Sequence, residues 1–154
     1  ATTSGAYTLE VLLTADGLPL AGAAYTLQLD LNPAIPSCAL GDAMEQDDSS
    51  GAATQTRDLN LTGLSACPSD DDWYAVGVQT VPLQVNANFL HAEGNIDLFL
   101  YNASLGLVTS ATSTTNNESI NISPGPGQYF LKVSLANDLG SHPGNSYDLI
   151  IVVE

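Results

Sequence analysis

Positive charge is what this chain of 154 residues most lacks: Arg57 and Lys132 stand against 17 acidic residues, for a formal net charge of −15. Nothing is available to neutralise phosphates, which excludes nucleic acid as a partner and disfavours anionic membrane surfaces on the same ground. Trypsin-like proteases find almost nothing to cut. No apolar run approaches the roughly 18 residues that a membrane span needs, so no membrane insertion is expected. No stretch keeps an apolar period of 3.6 residues, and no helix is expected. An initiator Met and a signal peptide are both missing, which reads as a processed or excised piece. Cysteine is sparse as well. Cys38 and Cys67 are the only two, without CxxC and without a histidine at metal-site spacing, since His91 and His142 are remote in sequence. They read as a disulfide, against the alternative of two free thiols. Closing that loop would stabilise by about 3–4 kcal/mol and implies an oxidising, secreted or cell-surface setting.

Catalytic patterns are lacking too. Neither His91 nor His142 stands in GxSxG or HExxH. The acids cluster too densely to serve as a glycosidase pair. Gly125-Pro-Gly127 reads as a turn rather than a phosphate cradle, because no helix follows it. The chain is read as a non-enzyme.

What is present is a β pattern, with 44% apolar residues, enough for one core. Tyr7, Leu9, Val11 and Leu13 alternate, as do Tyr25, Leu27, Leu29 and Leu31 after a break at Asp16-Gly17-Leu18-Pro19 and Gly22. Residues 32–36, with Pro33 and Pro36, read as a stiff linker. Residues 41–56 read as a loop. Strands are expected at 59–62, 73–78, 81–89, 96–101, 105–111, 120–122, 127–135 and 147–151, with turns at 112–117 and 124–127. Such spacing predicts an all-β fold, an antiparallel β-sandwich of jelly-roll type. Trp73 is assigned to its core rather than to a sugar platform, and the alternation of Tyr101, Tyr129 and Tyr147 favours burial.

Residues 5–32 also match residues 127–154 without a gap. Gly5/Gly127, Tyr7/Tyr129, Leu9/Leu131, Val11/Val133, Leu13/Leu135, Asp16/Asp138, Gly22/Gly144, Tyr25/Tyr147 and Leu27/Leu149 are identical. Alternate apolar matches are common to any two strands; the loop Asp and Gly are not. Residues 1–33 are therefore read as the closing hairpin of a preceding repeat, or as strands donated between protomers, and residues 34–154 as the sandwich.

Acid is the other thing in excess. Asp70-Asp71-Asp72 runs straight into Trp73, and Asp42, Glu45, Asp47 and Asp48 form a second cluster upstream. Like charges so dense must stay solvated or gather a cation. A Cys38–Cys67 bond would draw the two clusters together, and Ca²⁺, which takes six to eight oxygens, would remove the repulsion. The alternative is two solvated loops without metal. The sequons at Asn60, Asn102, Asn117 and Asn121 are compatible with surface glycosylation.

From Cys38 onward the order of parts resembles the bacterial pre-peptidase C-terminal (PPC) domain. The matching pieces are Asp42-Ala-Met-Glu45-Gln-Asp47-Asp48, then Cys67-Pro-Ser-Asp-Asp-Asp72-Trp73-Tyr74, then Gly94-Asn95-Ile96-Asp97-Leu98-Phe-Leu100-Tyr101. Glu118-Ser-Ile120, Pro126-Gly127-Gln-Tyr129-Phe-Leu131-Lys-Val133 and Asn145-Ser-Tyr147-Asp-Leu149 follow in the same order. The resemblance implies a non-catalytic β-sandwich outside the cell, of the kind appended to secreted peptidases. The similar collagen-binding domains of collagenases bind Ca²⁺ through the segment leading into the sandwich. On that likeness Glu45, Asp47 and Asp48 match the acidic ligand run, and Asp70 or Asp72 the carboxylate before the aromatic strand. The chain departs at Ala43, where those domains carry an acid that Asp42 would have to replace, and at Asn95, where Asp is usual. Two roles stay open: a structural or adhesive module partnered by neighbouring copies in a tandem array or extracellular polymer, and a domain targeting a peptidase to extracellular protein or polysaccharide.

Overall fold

The computed structural model describes residues 38, 42–57, 59–79 and 82–153, all within the compact unit Asn32–Glu154. The leading segment 1–33, read above as a hairpin or donated strands, lies outside the described residues. Nine strands follow in order among the described residues: β1 (Thr54–Thr56), β2 (Leu59–Ala66), β3 (Asp72–Val78), β4 (Leu83–Asn88), β5 (Gly94–Asn102), β6 (Leu107–Ala111), β7 (Glu118–Ile122), β8 (Gly127–Asp138) and β9 (Asn145–Val153). They form a five-stranded sheet in the order β1-β3-β8-β5-β6 and a four-stranded sheet in the order β2-β9-β4-β7. Every pairing is antiparallel except the short parallel pair of β1 with β3. The fold is an all-β sandwich, and no helix occurs among the described residues.

Period-2 alternation makes the core. Tyr74, Val76 and Val78 of β3, Ile96, Leu98 and Leu100 of β5, and Leu131 and Val133 of β8 point in from one sheet. Leu83, Val85 and Ala87 of β4 and Tyr147, Leu149 and Ile151 of β9 answer from the other. Apart from the buried Ala75, polar and half-buried residues take most of the intervening positions, as expected of sheets covered on one face only.

Four expectations need correction. The chain does not end in a hairpin: β8 pairs with β3 and β5, while β9 pairs with β2 and β4. Their connection is an arch from one sheet to the other. Trp73 is not in the core. Asp72 and Tyr74 point inward, so parity puts Trp73 on the outer face, half-buried and stacked on Tyr101 with ring centroids 5.5 Å apart. Tyr101 is likewise outward, the opposite side from Leu100, whereas Tyr147 is buried and Tyr129 packs against the core. Finally, residues 54–56 are not loop but β1, and β2 runs four residues past the expected 59–62, to Ala66. Both were hidden by small or polar residues, and Gly63, at φ 70°, marks the irregularity in the β2–β9 register.

Candidate metal centre

β3 begins where the two acidic clusters meet. The Cys38–Cys67 disulfide is formed, with Cα atoms 5.6 Å apart, inside the ordinary range for an unstretched cystine. It fastens the upstream acidic segment to the end of β2. Asp42 locks that segment locally: its Oδ1 accepts the Met44 N–H (2.8 Å), and its own N–H donates to Glu45 Oε1 (3.0 Å). Asp42 Oδ2 accepts the Ser65 N–H (2.7 Å) and so ties the turn to β2. Further along, the Asp47 carbonyl accepts the Trp73 N–H (3.0 Å), which ties the segment to β3. The other acidic segment is turned by Asp70, whose N–H donates to the Cys67 carbonyl (3.3 Å). Gln46 (φ 83°) and Ser69 (φ 65°) both sit in the left-handed region, which non-glycine residues rarely occupy.

These constraints bring one carboxylate oxygen each from Glu45, Asp48 and Asp70 within 4.8 Å of one another. Burial, with Asp48 and Glu45 close by, holds the Asp70 carboxyl above its usual range. Asp47, next to Asp48 in the chain, is only 3% exposed, and its Oδ2 has no hydrogen-bond partner. Burial chiefly, aided by the charges of Asp42, Glu45 and Asp48, pushes Asp47 up to about 7. Asp72 is buried and pushed up to about 8, again chiefly by burial, with the Tyr147 hydrogen bond opposing and Asp47, Asp42 and Glu45 adding to the rise.

The six acids singled out by sequence thus divide. Glu45, Asp48 and Asp70 converge, and Asp47 has an unanswered oxygen. Asp42 spends both oxygens on backbone N–H groups. Asp72 accepts the Tyr147 hydroxyl in the core. Asp71 turns away to pair with Lys132 (3.1 Å), whose ammonium lies 4.9 Å from the Phe99 ring centroid. Neither histidine joins the cluster: His91 Nδ1 lies 2.9 Å from Asn95 Oδ1, and His142 Nδ1 lies 2.9 Å from Ser141 Oγ. Asn95 also donates to Asp97 (3.0 Å), and an amide can do both jobs where a carboxylate could not donate. Among the sequons, Asn60 and Asn121 are exposed on strands, while Asn102 and Asn117 accept backbone N–H groups at turns.

A buried carboxylate oxygen with no partner is costly unless a cation answers it. The donor set is all oxygen, suited to a hard cation rather than to zinc or copper. The residues present therefore fit a bound metal ion: the cluster of Glu45, Asp48 and Asp70 could hold one.

Sequence reasoning missed the buried side of this site. Tyr74 of β3 and Tyr147 of β9 meet hydroxyl to hydroxyl (2.9 Å) between the sheets, and the Tyr147 hydroxyl donates a hydrogen bond to Asp72. The parity of Asp72 with Tyr74 was the available signal. Tyr147→Phe should cost about 2–3 kcal/mol, because the Asp72 carboxyl and the Tyr74 hydroxyl both lose a buried partner. A urea melt followed by near-UV circular dichroism measures it; a loss below about 0.5 kcal/mol would mean the chain of hydroxyls contributes nothing.

No family model matches the sequence, and no curated protein does. Solved structures give a likeness: the pre-peptidase C-terminal domain of collagenase from Bacillus anthracis, known at 1.0 Å, superposes with a TM-score of 0.50. The fold is that of a PPC domain. At 18% identity the match covers 64% of this chain and 93% of that one. The PPC fold therefore accounts for the sandwich, while the chemistry of the acidic cluster must be argued from this chain's own residues.

Proposed function

We propose that this chain is a non-catalytic, secreted PPC-like module that takes up Ca²⁺ at Glu45, Asp48 and Asp70, with Asp47 and Asp72 as the buried acids of the same two clusters. Its role is structural or adhesive, among neighbouring copies of itself in an extracellular array. The observation that carries the metal reading is the buried, unpartnered Asp47 Oδ2 beside three converging carboxylates. Ca²⁺ supplies the positive charge that offsets these acids when bound. The cystine suits the same extracellular setting. The array reading is supported by the ungapped likeness of residues 5–32 to 127–154.

Calorimetric titration tests the metal. Wild-type protein should bind one Ca²⁺, and Asp48→Asn with Asp70→Asn should weaken it by about 100-fold or more, since two anionic ligands are lost. Binding undiminished in the double variant would remove the assignment. Sedimentation velocity at rising concentration tests the array: oligomers are expected, and a monomer throughout would count against it. A second reading, a domain that targets a secreted peptidase to protein or polysaccharide, is favoured by the likeness to a collagenase domain. Retention on insoluble collagen or polysaccharide, with no self-association, would prefer it.

A further inference from the structure

We propose that the Cys38–Cys67 cystine and the acidic cluster form one coupled unit, so that reduction by a dithiol loosens the cation and the bound cation protects the cystine. The inference rests on reading the cluster as a Ca²⁺ site and adds a regulator to it. The cystine joins the two segments that carry the converging acids. Cys38 leads into Asp42–Asp48, and Cys67 leads into Asp70, whose N–H is bonded to the Cys67 carbonyl (3.3 Å). Among the described residues, the upstream segment is held on its downstream side by β1 paired with β3, and along its length by Met44 packing on the core and by the N–H groups of Ser65 and Trp73. Opened, the cystine frees the leading side of the segment that carries Glu45 and Asp48, which then stays anchored mainly on its β1 side, and part of the preorganisation toward Asp70 is lost.

The sandwich itself does not depend on this bond. β2 remains paired along β9, and the Tyr74–Tyr147 contact lies between the sheets. The chemistry is ordinary exchange: one thiolate of the dithiol attacks a cystine sulfur, and its second thiolate resolves the mixed disulfide. Cys38 and Cys67 are left as two thiols, and the dithiol is oxidised to its own disulfide. Because coupling between two equilibria is reciprocal, the factor by which reduction weakens Ca²⁺ binding must equal the factor by which saturating Ca²⁺ shifts the dithiol equilibrium.

The test uses the full chain in both redox forms, with dithiothreitol as reductant and Ca²⁺ as ligand. Titration of the oxidised and reduced forms should show Kd rising on the order of 10-fold or more on reduction, within the roughly 5–150-fold range of such couplings. Alkylation of released thiols in a dithiothreitol series should show the midpoint moving by the same factor when Ca²⁺ is present. Cys38→Ser with Cys67→Ser should bind Ca²⁺ as weakly as the reduced protein while keeping the β circular dichroism. Equal affinity in both redox forms, or a midpoint indifferent to Ca²⁺, overturns the coupling and leaves the metal site standing. Global unfolding on reduction also overturns it, because the effect would then not be local. No Ca²⁺ binding even by the oxidised form would overturn the metal reading, and the coupling with it.

Discussion

Metal-free protein is expected to lose stability as the pH climbs from about 4 to about 8, and millimolar Ca²⁺ is expected to reverse that slope. The folded chain holds Asp47 up to about 7 and Asp72 up to about 8, against an ordinary value of 3.8. Unfolded, both release their protons near pH 4. Between those limits the folded state binds more protons than the unfolded one, so stability must fall with rising pH. The fall should be on the order of 3 kcal/mol or more across the window. Below about pH 4 both states are protonated and the slope from these groups vanishes. A cation at Glu45, Asp48 and Asp70 favours the ionised form of the acids around it, so it competes with protons and its benefit grows with pH. At concentrations near 1,000 times its Kd the ion adds about 4 kcal/mol. Thermal melts with and without Ca²⁺ at about pH 5 and about pH 8 should then diverge strongly only at the higher pH. A metal-free stability that rises from about pH 5 to about pH 8 would contradict the buried state of the two acids.

Gly144→Ala is expected to be the most damaging glycine-to-alanine change among the described residues, at about 3 kcal/mol. Gly144 has φ 89°, where a side chain is strained whatever the space. A Cβ there would also lie 2.5 Å from Cys38 Sγ and 2.9 Å from the Ala66 carbonyl. Neither neighbour can yield, since one is half of a cystine and the other belongs to β2. Relief would have to come from the arch, where the Gly144 N–H donates to Asp138 Oδ2 (3.4 Å) and the Pro143 carbonyl faces Cys38 Sγ (3.2 Å). Gly125→Ala is the control: nothing lies within 4 Å of its Cβ position, and a change within about 0.5 kcal/mol is expected. Urea melts of the two variants decide it; equal stabilities would mean that the arch adapts freely.

The sandwich was legible because its strands are written in plain alternation. Leu83 to Phe89, Ile96 to Tyr101 and Tyr129 to Leu135 each put one apolar set on one side, and a buried face leaves a strand no other register. The acidic cluster was legible as well, since density of like charge is a sequence property. Its division of labour was not. Whether Asp42 faces an ion or a backbone N–H depends on Ser65, which is distant in sequence, and Asp72 is set apart by a tyrosine from the other sheet. Parity along β3 already placed Trp73 opposite Tyr74 and Val76; the habit of burying the largest apolar ring hid that. The arch between β8 and β9 was unreadable because strand, loop and strand look alike whether they return beside each other or cross to the facing layer.

That arch has a kinetic consequence. β8 is the middle strand of one layer and β9 an inner strand of the other. Without them the first layer falls apart into β1–β3 and β5–β6, and β2 loses its one neighbour among the described strands of the second. On the ribosome, then, the seven earlier described strands can form only the separate pairs β1–β3, β4–β7 and β5–β6, and assembly has to wait for the final two, which seal both layers in a single late event.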